Sequence, residues 1–176
     1  MSRVRVHRCR VLFVVFCAGL LAALATAQEQ PKAEVFGGYQ HTQISSTGAD
    51  GWNASFTGNV NRWFGVTADF SGVYKNFSGV GARAYTYAFG PTFSVRHGHV
   101  TPFAHVLLGG VHVSAGFESL SASTNGFATM IGGGVDVQAA KHVAIRVFQG
   151  DWIVWQVQGV TSKSSGRVSA GLVIRF

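Results

Sequence analysis

Apolar and polar residues alternate with a period of two along most of the chain. The segment WNASFTGNV, from Trp52 to Val60, places its aromatic and aliphatic residues on one side and its Asn, Ser and Thr residues on the other. Residues 66–75, 85–96, 127–138 and 167–176 repeat this pattern. Because successive side chains of a β-strand point to opposite faces, the pattern predicts antiparallel strands with one apolar and one polar face.

The chemistry of the two faces distinguishes a membrane barrel from a soluble one. In these five segments the apolar faces carry large rings and no charge, and the polar faces carry charges of both signs, with Val73 as an apolar exception. A soluble barrel needs charged residues on its outside. A charge that faces lipid costs about 2–4 kcal/mol at mid-depth, so an apolar outside and a polar inside predict a transmembrane barrel.

Three less regular segments bring the expected number of strands to eight. Ala33–Ser45 alternates, with Val35 expected outside and Glu34 inside. Residues 101–114 are apolar on both faces, so their orientation stays open. Residues 143–155 do not keep a single phase over their whole length.

An irregularity is expected in two of the strands. Arg146 and Asp151 fall on opposite faces of one strand unless an extra residue near Phe148–Gly150 resets the register. We predict that bulge, because an unpaired charge in lipid is the costlier alternative. Pro91 has no N–H to donate, which predicts a local interruption of the ladder there.

The joins between the strands alternate in length. NRWF, HGH and AAKH are tight, whereas STGADG, NFSGVGA, AGFESLSASTN and VQGVTSKSSG are longer and rich in Gly and Ser. Short turns on one rim and longer loops on the other are typical of outer-membrane barrels, whose short turns are periplasmic. The longest external loops are expected at residues 115–125 and 157–166, and an even number of strands places both termini at the periplasmic rim.

The predicted fold is an all-β, eight-stranded, antiparallel up-and-down transmembrane barrel with a polar, charge-paired lumen. A barrel of this size is just wide enough for its own side chains to fill, so a general pore is not expected. A buried charge without a partner is strongly unfavourable, so the lumenal charges should form an ion-pair network. The residues assigned to that network are Glu34, Asp69, Lys75, Arg96, Asp136, Arg146, Asp151, Arg167 and Arg175.

The first 27 residues have the composition of a secretory signal. Four arginines precede an apolar stretch that is too short for a membrane helix, and Ala25-Thr-Ala27 is a small-residue cleavage pattern. The expected mature chain, residues 28–176, is a single domain with neither of the two cysteines. Cleavage reduces the net charge from +7 to +3, because the mature part keeps 10 basic and 7 acidic residues. Its charges form no basic run, so no nucleic-acid partner is expected.

Four segments resemble a known family of membrane proteins. EVFGGYQHT, FGVTADFSGVY, RVFQGDW and the terminal AGLVIRF are similar to the OmpA-like, or opacity-type, eight-stranded outer-membrane barrels. The resemblance implies a location in the bacterial outer membrane. It also implies that Phe176, Ile174 and Leu172 form the C-terminal signal read by the barrel-assembly machinery. No peptidoglycan-binding domain follows the barrel, so a cell-wall tether is not expected.

One pair of residues suggests an alternative catalytic role. His112 and Ser114 share one face of a strand, where a histidine could activate a serine. The pair resembles the His-x-Ser arrangement of outer-membrane lipid A deacylases, which also have eight strands. Those enzymes need an acidic partner, for which Glu118 is the local candidate. The alternative is a polar strand end that meets an external loop.

Histidines near the turns could suggest a metal site. His97 and His99 flank one tight turn, and His142 closes another on the same rim. No carboxylate or thiolate completes a ligand set, so no metal is expected.

The sequence therefore favours a small outer-membrane barrel with a structural or surface-interaction role, and catalysis is not expected. Its expected partners are outer-membrane lipid and the assembly machinery. No cofactor is expected, and the Ser- and Gly-rich loops identify no surface partner. The alternatives are a lipid-acting hydrolase using His112 and Ser114, and a soluble lipocalin-like binding barrel.

Overall fold

Eight consecutive strands form a closed antiparallel barrel in the computed structural model of the protein. The structure describes residues 30–44, 47–77, 80–117, 120–157 and 160–176. The strands are β1 (Ala33–Ile44), β2 (Thr47–Asn59), β3 (Phe64–Phe77), β4 (Val80–Ser94), β5 (Val100–Phe117), β6 (Leu120–Ala140), β7 (Val143–Val157) and β8 (Val160–Arg175). The predicted fold class is confirmed.

Each strand pairs with its neighbours in the chain, and β1 closes the barrel against β8. In that closing pair Glu34 lies opposite Arg175, and Ile44 lies opposite Ser165. We call the end that holds the turns at residues 60–63, 95–99 and 141–142 the terminal rim, because residues 31–32 and Phe176 also lie there. The opposite end is the distal rim.

The large apolar side chains cover the outside of the barrel. On β2 the outward residues Trp52 and Phe56 alternate with the buried Asn53 and Ser55. The same arrangement holds on the other strands that alternate in sequence. Outward aromatic residues with at least 40 % of their surface exposed are Tyr39, Trp52, Phe56, Trp63, Phe70, Tyr74, Tyr87, Phe89, Phe93, Phe127, Phe148, Trp152 and Phe176. This orientation of the faces is the one predicted.

The three tight joins are where the sequence predicts them. Asn61 makes the first one compact, because its Oδ1 accepts hydrogen bonds from the backbone N–H groups of Trp63 and Phe64, at 3.0 and 2.8 Å. In the second, Gly98 has a φ of +58°, a conformation that a glycine adopts without steric cost.

The four longer joins are much shorter than expected, and here the prediction was wrong. Segments assigned to loops continue as paired strands, so that β5 extends to Phe117 and β6 begins at Leu120. Likewise β7 extends to Val157 and β8 begins at Val160. The hydrogen bonds between neighbouring strands join backbone N–H and C=O groups only. The strands can therefore stay paired where their side chains become small and polar. The sequence signal was lost because the outward residues there are no longer apolar.

Both predicted irregularities are present. In β7 one extra residue, Val147, separates Arg146, which pairs with Asp136, from Phe148, which pairs with Val135. The bulge lies one residue before the predicted position, and it turns both Val147 and Phe148 outward. The pairing of β4 with β5 is interrupted at Gly90 and Pro91 but resumes in the same register.

Within the described residues, no helix is long and apolar enough to cross a membrane. The predicted signal segment, residues 1–27, lies outside the described part of the chain and stays a prediction.

Candidate functional site: the lumen

A buried arginine on β8 forms the centre of the lumen. Arg167 binds Asp69 on β3 through two hydrogen bonds, from Nη1 to Oδ1 at 2.8 Å and from Nη2 to Oδ2 at 3.2 Å. It also binds Asp151 on β7, with its Nε 2.8 Å from Oδ2. All three residues are almost completely buried. The cluster therefore connects strands from opposite sides of the barrel wall.

Three further side chains complete the bonding of these two carboxylates. The His105 Nε2 atom lies 2.7 Å from Asp151 Oδ1, and Gln149 Nε2 donates to Asp151 Oδ2 at 2.8 Å. Asn53 Nδ2 donates to Asp69 Oδ2 at 2.9 Å. His105 was missed by the sequence analysis because residues 101–114 are apolar on both faces. In the structure Thr101, His105 and Leu107 point inward.

A second charged cluster lies between this centre and the terminal rim. Arg146 donates from Nε to Asp136 Oδ1 at 2.8 Å and from Nη1 to Gln149 Oε1 at 2.7 Å. Its guanidinium lies 4.3 Å from the ring centroid of Phe36 and 4.2 Å from that of Phe103. Gln149 bonds to residues of both clusters and so joins them into one network.

The outermost ion pairs of the network close the lumen at the terminal rim. Glu34 accepts a hydrogen bond from Arg96 Nη2. Arg175 lies between two carboxylates, with Nε 3.7 Å from Glu34 Oε2 and Nη2 3.6 Å from Asp136 Oδ2. These strands bring together four carboxylates and four guanidiniums, so the charges of the network balance.

Eight of the nine predicted lumenal residues belong to these salt bridges. The ninth, Lys75, lies nearer the distal rim, where its Nζ donates to Gly48 O at 2.6 Å. The prediction of a charge-paired lumen is confirmed for the half of the barrel next to the terminal rim, which we call the charged half.

The other half of the lumen, which we call the apolar half, is filled mainly by hydrocarbon. Its main cluster consists of Ala88, Leu107, Val111, Ala128, Met130, Ile153 and Trp155. A smaller cluster consists of Ala49, Val73 and Ala84, and Val113 touches both clusters. Thr42 and Ser165 line the facing wall. The sequence analysis predicted a polar, charge-paired lumen and did not predict this apolar half. Val73, the one apolar exception noted on a polar face, belongs to this half.

Little space is left between the side chains. A cavity of about 20 Å³ lies in the charged half, lined among others by Thr67, Asp69, His105 and Gln149. A cavity needs a volume of roughly 10–15 Å³ to hold a single water molecule. The cavity therefore has room for about one water and is too small for a solute.

The candidate catalytic pair lies on the outer surface, away from the lumen. His112 and Ser114 occupy the outward positions of β5, opposite Asn125 and Ser123 of β6. The Nδ1 atom of His112 lies 2.7 Å from Asn125 Oδ1, which gives the imidazole an amide as its neighbour. The expected acidic partner, Glu118, lies outside the described residues.

The three histidines of the terminal rim are exposed and lie at two different turns. His97 and His99 belong to the join of β4 and β5, and the Nδ1 of His142 lies 3.1 Å from the backbone oxygen of Arg175. In the described part of the chain, no three His, Cys, Asp or Glu side chains are grouped so that they could hold a metal ion.

The end of β8 carries the predicted assembly residues. Leu172, Ile174 and Phe176 all point outward, and each has more than 40 % of its surface exposed. The backbone N–H of Phe176 donates to Ala33 O at 2.9 Å, which joins the last residue to the first strand.

No known protein family and no curated protein matches the chain. Solved structures share its fold. One is the structure of Ail, the attachment invasion locus protein of Yersinia pestis, in complex with the heparin analogue sucrose octasulfate. Ail is 19 % identical in sequence to this chain and superposes with a TM-score of 0.61. The match covers 84 % of this chain and 99 % of Ail. Neisserial surface protein A is 15 % identical with a TM-score of 0.62, over 82 % and 96 %. The N-terminal β-barrel domain of Pseudomonas aeruginosa OprF is 9 % identical with a TM-score of 0.54, over 85 % and 100 %. The chain therefore has the fold of these small barrels.

Proposed function

We propose that this protein is a small barrel of the bacterial outer membrane with a structural or surface-interaction role. The observation that carries the proposal is the inverted distribution of its side chains. Aromatic rings cover the outside, and four carboxylates and four guanidiniums are enclosed within. Such a surface is stable in contact with acyl chains, whereas in water it would expose a continuous apolar belt.

The filled lumen supports a role without general transport. A solute would have to break the paired charges of one half and displace the hydrocarbon of the other. The surface of the protein, and above all its distal rim, is then the part available for interaction.

Fractionation of cells tests the proposed location. We expect the protein in the outer-membrane pellet, with a gel mobility that differs before and after boiling because the unheated barrel stays folded. The mature protein should begin at Gln28 if residues 1–27 are cleaved as proposed. Recovery in a detergent-free periplasmic fraction, with no heat-dependent mobility, would contradict the proposal and favour the lipocalin-like alternative.

The outward side chains at the end of β8 support a role as the assembly signal. In cells, Phe176→Ala should reduce the amount of heat-modifiable barrel in the outer membrane. Folding of the same purified variant into detergent micelles should be nearly unchanged, because no assembly machinery acts there. Equal losses in cells and in micelles would show that Phe176 acts through stability alone.

Catalysis is not part of the proposed function. The His112 imidazole contacts the amide oxygen of Asn125, and among the described residues no hydrogen bond joins it to Ser114. Purified wild-type protein and Ser114→Ala should both leave lipid A unchanged, as judged by mass spectrometry of the extracted lipid. Loss of an acyl chain with the wild type alone would establish the hydrolase alternative.

A further inference from the structure

We propose that the terminal rim binds the headgroups of anionic phospholipids, such as phosphatidylglycerol, through a ring of basic side chains. The basic ring consists of Lys32, Arg62 and Lys141, together with the imidazoles of His97, His99 and His142. The proposal rests on the membrane location proposed above and adds a class of ligand to it.

The members of the basic ring are distributed around the whole rim. Lys32 precedes β1, Arg62 lies between β2 and β3, and Lys141 lies between β6 and β7. The two histidines 97 and 99 belong to the remaining turn, between β4 and β5. All six side chains are exposed, and the three permanently charged ones form no salt bridge with the described residues.

Acidic side chains near this rim are turned inward and already paired. Glu34 bonds to Arg96, and Asp136 bonds to Arg146. Among the described residues, the one exposed acidic side chain is Asp50, which lies toward the distal rim beside Tyr39 and His41. Glu29 precedes the described part of the chain. Among the described residues, the exposed basic side chains of the terminal rim therefore have no acidic side chain beside them.

The height of the basic ring relative to the apolar belt identifies the ligand. Arg62 lies between the exposed Val60 and Trp63, and the backbone N–H of Lys32 bonds to the carbonyl oxygen of the exposed Phe176. Apolar side chains thus reach to within one or two residues of the cations. Cations that directly border an acyl-chain surface lie at the level of the phosphates.

The distal rim has a different arrangement. There the strands continue past the last outward aromatic residues, so that β4 begins five residues before Tyr85, and Arg83 lies in this extension. Arg83 lies opposite Tyr74 and also borders the apolar belt, but it is the one cation among the described outward side chains of the distal rim. A ring of cations beside the belt is therefore found at the terminal rim only.

A ring also fits lipid better than a single macromolecule. A polymer or a folded partner needs its contacts concentrated on one patch, whereas headgroups surround the barrel on every side. Electrostatic attraction to an anionic membrane surface contributes about 1 kcal/mol for each basic residue, which corresponds to an increase in affinity of up to about fivefold per residue.

The test measures which lipids border the protein. The barrel is reconstituted into phosphatidylcholine vesicles, and the immobilised fraction of spin-labelled phosphatidylglycerol is compared with that of spin-labelled phosphatidylcholine by electron spin resonance. We expect a severalfold preference for phosphatidylglycerol in the wild type. The preference should be lost in Lys32→Gln/Arg62→Gln/Lys141→Gln and should weaken at high salt, which screens the charges.

Arg83→Gln is the matched control, since it removes one exposed cation outside the basic ring and should leave the preference nearly unchanged. Equal unheated gel mobility of all variants shows that each is folded. The proposal is overturned if the wild type shows no preference, if the triple variant keeps it, or if Arg83→Gln reduces it as much. Millimolar glycerol phosphate should not compete, and competition would instead indicate a site for free phosphate. Because the vesicles contain purified protein, a negative result here leaves the fractionation result intact.

Discussion

The charged half and the apolar half of the lumen close the same narrow barrel in different ways. In the charged half, Arg167, Asp69 and Asp151 are held by directional bonds whose donors and acceptors must match. In the apolar half, Leu107 and Met130 fill the same cross-section by volume alone. Hydrocarbon of the right size packs with little directional requirement, whereas a buried ion pair is stable only when each partner is in place. The two halves should therefore respond differently to loss of a side chain.

The largest effect is expected in the charged half, from Arg167→Met. This change leaves the carboxylates of Asp69 and Asp151 buried without their common cation. Breaking a buried pair in this way costs about 3–5 kcal/mol. The free energy of unfolding, measured by urea titration in lipid vesicles with tryptophan fluorescence, should fall by that amount.

A triple variant separates charge from shape in that experiment. Asp69→Asn/Asp151→Asn/Arg167→Met removes both anions together with the cation and should recover a large part of the loss. If the triple variant is as unstable as the single one, the effect of Arg167 comes from packing, and the two halves are less different than the structure indicates.

An intermediate effect is expected in the apolar half, from Leu107→Ala. The side chain is fully buried, and its removal leaves a cavity, so we expect a loss of about 3 kcal/mol in the same titration. Leu108→Ala is the matched control, because Leu108 is the next residue of β5 but points outward and is 48 % exposed. A smaller loss is expected for Leu108, since acyl chains can fill the space. Equal losses would mean that the apolar half is not closely packed.

The smallest effect is expected from His105→Leu at the boundary between the halves. It removes one hydrogen-bond partner of Asp151 but leaves the contact of Asp151 with Arg167. A lost partner of a buried carboxylate costs about 1–3 kcal/mol. His112→Leu, at the exposed contact with Asn125, should change the unfolding free energy by less than about 0.5 kcal/mol. A loss at His105 as large as that at Arg167 would show that the histidine is a full member of the charged cluster.

The outer surface and the charged half could be predicted from the sequence because a strict rule governs both. Wherever a strand faces lipid, its outward residues must be apolar, so the remaining charges are assigned inward. Asp69, Asp136 and Arg167 follow directly from this alternation. The bulge in β7 follows from the same rule, since Arg146 and Asp151 cannot both face inward without it.

The apolar half and His105 could not be predicted, because the rule restricts the outward face only. An inward position accepts Leu107 or Met130 as readily as a charged pair. Once both faces of β5 are apolar, alternation no longer shows which way His105 points. The extent of the strands at the distal rim was missed for a related reason. Beyond the apolar belt the outward face is free of the restriction, and SASTN in β6 has the composition of a loop although its backbone is paired.

Val147 is the extra residue of the bulge in β7. With it, Arg146 and Asp151 both lie inside the barrel, and Trp152 lies outside. If the bulge were straightened with Val147 kept and Arg146 in its place, every residue of β7 after Val147 would change sides, and Asp151 would meet acyl chains while Trp152 would enter the interior. Deletion of Val147 would have no such effect, because Arg146 and Asp151 would then be four positions apart on a regular strand and would still share its inner face. The strand can therefore lose one residue at the bulge without turning any part of it inside out.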